Sequence, residues 1–260
     1  MLRLTPRESH CLINAMKTLQ SVLVVLGVVV AHVPQAFAVA VSSGEIVNGT
    51  SATFTPPSSL IEGITASYIG GNSPIAVPPF AGWAQMNDGV VGAANLNSQT
   101  LLLDHATSSF APAYAVWVLD TSVNAQGYDI FSIQSFAGYN SNRPWQNIEI
   151  KYALVGDNIT GPLTRTLGSF SYTPTIAQLS DYHATKLSVF DNFDDPLLTN
   201  VIAIQVSYLD NGFNPSAGNS NATSYKEFSV VGVASVPEPS TVILFGLAAV
   251  GLLVRWRTRA

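Results

Sequence analysis

The chain has 260 residues, 47% of them apolar and 10% charged, with a formal net charge of −5 at pH 7. From Val39 to Ser235 fourteen acids stand against five bases, which argues against nucleic acid as a partner, because nonspecific phosphate binding needs Lys and Arg. The single cysteine, Cys11, leaves residues 39–235 without a disulfide, a thiolate metal site or a cysteine nucleophile.

In chain order, the first predicted element is a targeting segment over residues 1–38. Met16-Lys17 precedes an apolar run from Val22 to Ala31, followed by Pro34 and the small-x-small triplet Ala36-Phe37-Ala38. A positive start, a short apolar middle and a small-residue exit make a secretory signal peptide. The run is too short to cross a hydrocarbon core of about 30 Å as a standard helix. Cleavage is expected after Ala38, with an uncleaved anchor as the alternative. Met16 is a better start than Met1, since residues 1–15 add Arg3, Arg7 and Glu8 ahead of it.

Residues 39–82 are rich in Ser, Thr, Gly and Pro, including Pro56-Pro57, Gly70-Gly71 and Pro78-Pro79, and read as loop or edge-strand material belonging to the same domain. Over 83–235 short β-branched and aromatic runs alternate with turn residues. Strands are expected at 101–103, 114–119, 128–136, 148–155, 186–190, 201–208 and 225–231. Ile148, Ile150 and Tyr152 alternate with Glu149 and Lys151, which puts one face on a core and the other in water. With no competing helical period, the expected fold is all-β, an antiparallel sandwich or jelly roll.

The order of Asn87-Asp88-Gly89, a strand ending Val118-Leu119-Asp120, the runs 130–136 and 148–155, and a closing strand at 225–232 resembles that of galactose-binding-like (discoidin-type) domains, over roughly residues 83–233. The resemblance implies a structural Ca2+ held by the early Asp-Gly loop and an acid of the closing strand, here Asp88 and Glu227. Hard carboxylate and carbonyl oxygens suit that ion. The alternative is a plain Asp88-Gly89 turn with Glu227 in solvent.

The loop from Gly138 to Asn147 carries Tyr139, Arg143 and Trp145. An aromatic face for sugar C–H groups and a guanidinium for hydroxyls make it the carbohydrate-binding candidate, although Trp145 packed under the loop would serve structure alone. Asp191, Asp194 and Asp195 read as a solvated loop, because their spacing does not fit a calcium loop with Gly at its sixth position and Glu at its twelfth. His105 and His183 are the only histidines after residue 38. Neither a Gly-x-Ser-x-Gly elbow nor a His-Glu-x-x-His helix accompanies them, so no catalytic residue is assigned and the domain is read as non-catalytic.

The chain closes with Pro237-Glu238-Pro239, an apolar run from Thr241 to Val254, and Arg255-Trp256-Arg257-Thr258-Arg259. The run is expected to form one transmembrane helix, with the Arg cluster on the cytoplasmic side. Residues 236–260 resemble the PEP-CTERM sorting signal. That resemblance implies recognition by an exosortase-type membrane transpeptidase or protease, cleavage near Pro237-Glu238-Pro239, and passage from the inner membrane to the envelope or extracellular matrix. The resulting expectation is a sorted surface protein whose sandwich touches exopolysaccharide. A purely structural surface protein or a secreted hydrolase are the alternatives.

Overall fold

Strand-forming stretches rich in Val, Ile, Tyr and Phe can bury one pleated face only by meeting a second such face. The computed structural model describes residues 39–71, 82–95, 100–104, 112–140, 143–175, 182–193, 195–209 and 222–236. Among them lie ten strands: β1 (Ala40–Asn48), β2 (Tyr68–Gly70), β3 (Leu101–Asp104), β4 (Ala113–Val118), β5 (Tyr128–Asn140), β6 (Gln146–Leu154), β7 (Arg165–Tyr172), β8 (Tyr182–Asp191), β9 (Leu198–Tyr208) and β10 (Ala222–Ala234). A single 3-10 turn, Trp83–Gln85, is the only helical element among the described residues.

Every described pairing is antiparallel. One layer runs β3-β10-β5-β8-β1 and the other β2-β4-β9-β6-β7. They are continuous through the start of β5, where Tyr128 and Ile130 face Val201 and Leu198 of β9 before β5 turns to β8. The two layers pack face to face as a sandwich. Trp117 of β4 stacks on Phe228 of β10 at 5.6 Å, and Tyr208 of β9 meets Tyr225 of β10 at 4.1 Å. Ile133, Leu187, Val189, Ile148, Ile150, Ile204 and Val206 fill the same buried core. At the far edge the backbone of Gly44 in β1 lies against the Tyr172 ring of β7, where any Cβ would collide.

A register shift interrupts β10. Tyr225 faces Ala137 and Glu227 faces Phe136, so Lys226 is an extra residue in the ladder. Residues three apart on a regular strand point to opposite faces. Here Tyr225 and Phe228 both enter the core, because the bulge absorbs one residue.

The expected strands fall within β3, β4, β5, β6, β8, β9 and β10, with ends moved by one to a few residues. The β6 alternation is borne out: Ile148 and Ile150 are fully buried, while Glu149 and Lys151 pair at 3.1 Å on the outer side. β7 was not expected. Its sequence Arg-Thr-Leu-Gly-Ser-Phe-Ser-Tyr has little β-branched content, and it is made a strand by its pairing with β6. β1 and β2 come from the Ser/Gly/Pro-rich segment, and each has one described partner, β8 and β4 respectively. The signal segment 1–38, the motif Pro237-Glu238-Pro239, the apolar run after it, His105 and Asp194 lie outside the described residues. No helix among the described residues is long and apolar enough to cross a membrane.

Candidate functional site

β3 pairs with β10 only up to Tyr225, and beyond that point the free edge of β10 is closed by two loops. The Leu60 N–H donates to the Val230 carbonyl at 2.8 Å, the Val230 N–H to Ser59 Oγ at 2.9 Å, and the Phe228 N–H to the Met86 carbonyl at 2.7 Å. Asn87, nearly fully buried, ties the loops together by donating its carboxamide to the carbonyls of Ile61 and Ile64, while the Gly63 N–H donates back to the Asn87 carbonyl at 2.8 Å. Asp88 is next in a tight turn, accepting from the Val90 N–H at 2.9 Å.

This arrangement brings Asp88 against Glu227. Glu227 is fully buried, and neither carboxylate oxygen makes a well-formed hydrogen bond among the described residues. Burial, and next the neighbouring Asp88 charge, push its pKa from 4.5 up to about 8. The nearby Gly89 and Val90 amides only temper that rise. Exposed Glu62 also reaches this turn, its carboxylate 3.0 Å from where a Gly89 Cβ would stand. A buried carboxylate held against the half-buried Asp88 is repelled unless a proton or a cation joins the two, and such a pair of hard oxygen donors fits an oxygen-seeking cation. Among the described residues no three His, Cys, Asp or Glu side chains converge as a metal set, so such an ion would need backbone carbonyls or water as further ligands.

Lys226 is also fully buried, and its stem runs over Gly138 of β5, where a Cβ would lie 2.9 Å from the Lys226 Cε. Its ammonium donates to Thr100 Oγ1 at 3.1 Å, and burial lowers its pKa to about 8. The bulge thus buries two consecutive ionisable residues on the closing strand. Nothing in the local sequence Tyr-Lys-Glu-Phe sets this pair apart from an ordinary solvated one.

The second candidate lies at the end of the sandwich where β5, β8 and β1 meet. Tyr139 sits opposite His183 in the register, and Asn48 lies opposite His183 on the other side. The Arg143 guanidinium stands over the Tyr139 ring at 4.7 Å, and Tyr182 meets that ring edge-on at 5.7 Å. The Arg143 carbonyl accepts from the Ser224 N–H at 2.9 Å, and the Pro144 carbonyl accepts from Thr185 Oγ1 at 2.6 Å, which pins the loop to β10 and β8. Tyr139, Arg143, Trp145 and Tyr182 are all half-buried, so each keeps some surface in solvent. Tyr182 was missed from the sequence, because only the β5–β8 pairing brings it to Tyr139. An open groove along residues 47–53 adjoins the cluster, where the Gly49 N–H donates to the Tyr182 carbonyl at 2.8 Å. His183 itself is fully buried.

Asp191 departs from the solvated-loop reading. It is 3% exposed and accepts from the Val39 N–H at 2.8 Å and the Phe193 N–H at 2.9 Å, so it caps the β8 end internally.

No curated protein matches the chain. Among solved structures it is similar to the C-terminal domain of a chitobiase from Bacteroides fragilis, at 15% identity over 67% of this chain and 96% of that one, with a TM-score of 0.41. It is also similar to the Clostridium perfringens domain CpGH89CBM32-4 in complex with glcNAc-alpha-1,4-galactose, at 9% identity over 68% of this chain and 96% of that one, with a TM-score of 0.35. Residues 235–259 match the PEP-CTERM protein-sorting motif, so the chain carries the sorting signal of an exported protein.

Proposed function

We propose that this chain is an exosortase-sorted protein of the cell envelope or extracellular matrix, with a non-catalytic, galactose-binding-like jelly roll that binds carbohydrate such as exopolysaccharide. The sorting motif supports the first part: an exosortase-type membrane transpeptidase or protease recognises the tail, cuts near Pro237-Glu238-Pro239, and releases or transfers the domain ahead of it. The single observation that carries the binding part is the Arg143–Tyr139–Tyr182 assembly. A sugar ring offers C–H groups to aromatic surface and hydroxyls to a guanidinium, and Tyr139 of β5, Tyr182 of β8 and Arg143 of the β5–β6 loop, with Trp145 on that loop, offer both at one end of the sandwich.

Asp88 and Glu227 would hold a Ca2+ in this reading. The ion would neutralise the buried Glu227 carboxylate and the half-buried Asp88 beside it, and fix the loops that close the edge of β10, a structural rather than catalytic task.

The test is glycan binding by the detergent-solubilised full chain. Tyr139→Ala, Arg143→Ala and Trp145→Ala should each weaken binding while leaving the melting midpoint close to that of the parent. If the variants bind as the parent does, the site is elsewhere; if a broad exopolysaccharide panel gives no binding, the structural reading replaces this one.

A further inference from the structure

Where the tail leaves the fold bears directly on what lies beside it. β10 is hydrogen-bonded through Ala234, which faces Tyr128 of β5. Ser235 is then clamped: its N–H donates to the Gly127 carbonyl at 3.0 Å and its hydroxyl to Asp129 Oδ1 at 2.6 Å, and it is only 5% exposed. Asp129 also accepts from the Asn200 N–H at 3.2 Å, so the exit point is tied to β9 as well. The sorting motif begins at this same Ser235. The fold and the sorting signal therefore meet with no linker between them.

The consequence is one of reach. From Val236 to Thr241, where the apolar run starts, five residues span at most about 18 Å even when fully extended. The headgroup layer takes up roughly 5–8 Å of that distance. The end of the sandwich from which Val236 emerges is thus held within roughly 10–13 Å of the headgroups while the tail remains in the bilayer.

That end is also where large apolar side chains stand in solvent. Val123 is 83% exposed in the β4–β5 loop, Phe193 69% in the β8–β9 loop, and Val155 46% after β6, while Val236 itself is 79% exposed. The register places them together at one end. Tyr128 faces both Ala234 and Val201, Leu154 faces Val201, and the Val155 N–H donates to the Asn200 carbonyl at 3.0 Å. Of the charged groups at this end among the described residues, Asp129 and Asp191 are bonded internally and Arg165 is bound to Asp157, while Asp120 and Asp195 are exposed. Two exposed acids favour a headgroup that carries an ammonium over one that is only anionic.

We infer that the end of the sandwich from which the tail leaves is a membrane-contact surface, with Val123, Val155, Phe193 and Val236 seated in the interfacial layer of a zwitterionic lipid bilayer. The surface orients the domain so that the chain after Ser235 is presented to the processing enzyme at a constant height. The inference rests on the reading of residues 241–254 as a membrane span. Apolar loop tips of this size add only shallow interfacial insertion, so contact depends on the tail and is lost once the tail is cut.

The experiment uses the full chain with Cys11→Ser, reconstituted in phosphatidylcholine vesicles, with a single polarity-sensitive label at Val123→Cys, Phe193→Cys or, at the opposite end of β1, Val47→Cys. Flotation is read first: a chain that does not float with the vesicles refutes the membrane-span reading and takes this inference with it. For a chain that floats, blue-shifted emission quenched by spin-labelled lipid at 123 and 193, but not at 47, is the expected result. Water-like emission at 123 and 193 in a floating chain overturns the contact surface while leaving the tail reading intact. Adding anionic lipid should weaken the signal, and a strengthened signal would overturn the choice of headgroup.

Discussion

Glu227→Gln separates a cation site from a merely crowded pair of acids. In metal-free protein the Glu227 pKa is raised from 4.5 to about 8, so the folded state holds a proton that the unfolded chain has released across that interval. Stability must then fall as pH rises from about 5 to 8. At about 1.4 kcal/mol per unit the loss is on the order of 5 kcal/mol. A Ca2+ at one hundred times its dissociation constant returns about 2.7 kcal/mol, or roughly 5–10 °C in melting midpoint for a domain of this size. Melting in EDTA and in Ca2+, at pH 5 and pH 8, reads all of this. The parent in EDTA should melt lower at pH 8 than at pH 5, and Ca2+ should raise the pH 8 value. Glu227→Gln, which cannot ionise, should melt above the parent in EDTA at pH 8 and show no calcium response. A variant that melts below the parent in EDTA and still responds to Ca2+ would refute the reasoning, because the carboxylate would then be neither strained nor a ligand.

Three further outcomes are expected. Phe228→Ala removes a fully buried ring stacked on Trp117 across the two layers, and should cost about 3–5 kcal/mol, seen as a large drop in the urea midpoint. Asp157 is held at a pKa of about 2 by its hydrogen bond to Arg165 and then by the Leu154 N–H, below its usual 3.8. Its contribution is therefore present above about pH 4 and lost as pH falls toward 2, so an acid titration of Asp157→Asn should show a shallower loss over that window. If cleavage falls after Ala38, Val39 becomes a free ammonium beside the buried Asp191, where its N–H already sits at 2.8 Å. A chain beginning at Val39 should then be more stable than one beginning at Ala38 by roughly 1 kcal/mol, a difference that Asp191→Asn removes in paired melting curves.

The Lys226 ammonium runs opposite to Glu227. With its pKa lowered by burial from 10.5 to about 8, it makes stability rise from pH 8 toward 10.5. Metal-free protein is accordingly expected to be least stable near pH 8.

Each feature was legible in the sequence to the extent that it is encoded between neighbouring residues. The sorting tail is a local code, three parts in fixed order, and it is read directly from Pro237-Glu238-Pro239, the apolar run from Thr241 to Val254 and the terminal Arg cluster. The alternation of Ile148, Ile150 and Tyr152 with Glu149 and Lys151 is also local, since a strand's two faces differ at neighbouring residues, and it announced β6 and the all-β class. The other features depend on partners distant in the chain. β7 has weak strand propensity and exists because β6 offers it an edge. Asp191 reads as part of a solvated loop until β1 brings the Val39 N–H to it. Tyr182 joins Tyr139 only through the β5–β8 register, and a single extra residue in β10 puts both Tyr225 and Phe228 in the core while Lys226 and Glu227 are buried beside them. Sequence determines which stretches become strands, because propensity and alternation act between neighbours. Tertiary structure alone decides which carboxylates lose their water and which rings meet, because burial belongs to the pairing of distant strands and no residue carries it by itself.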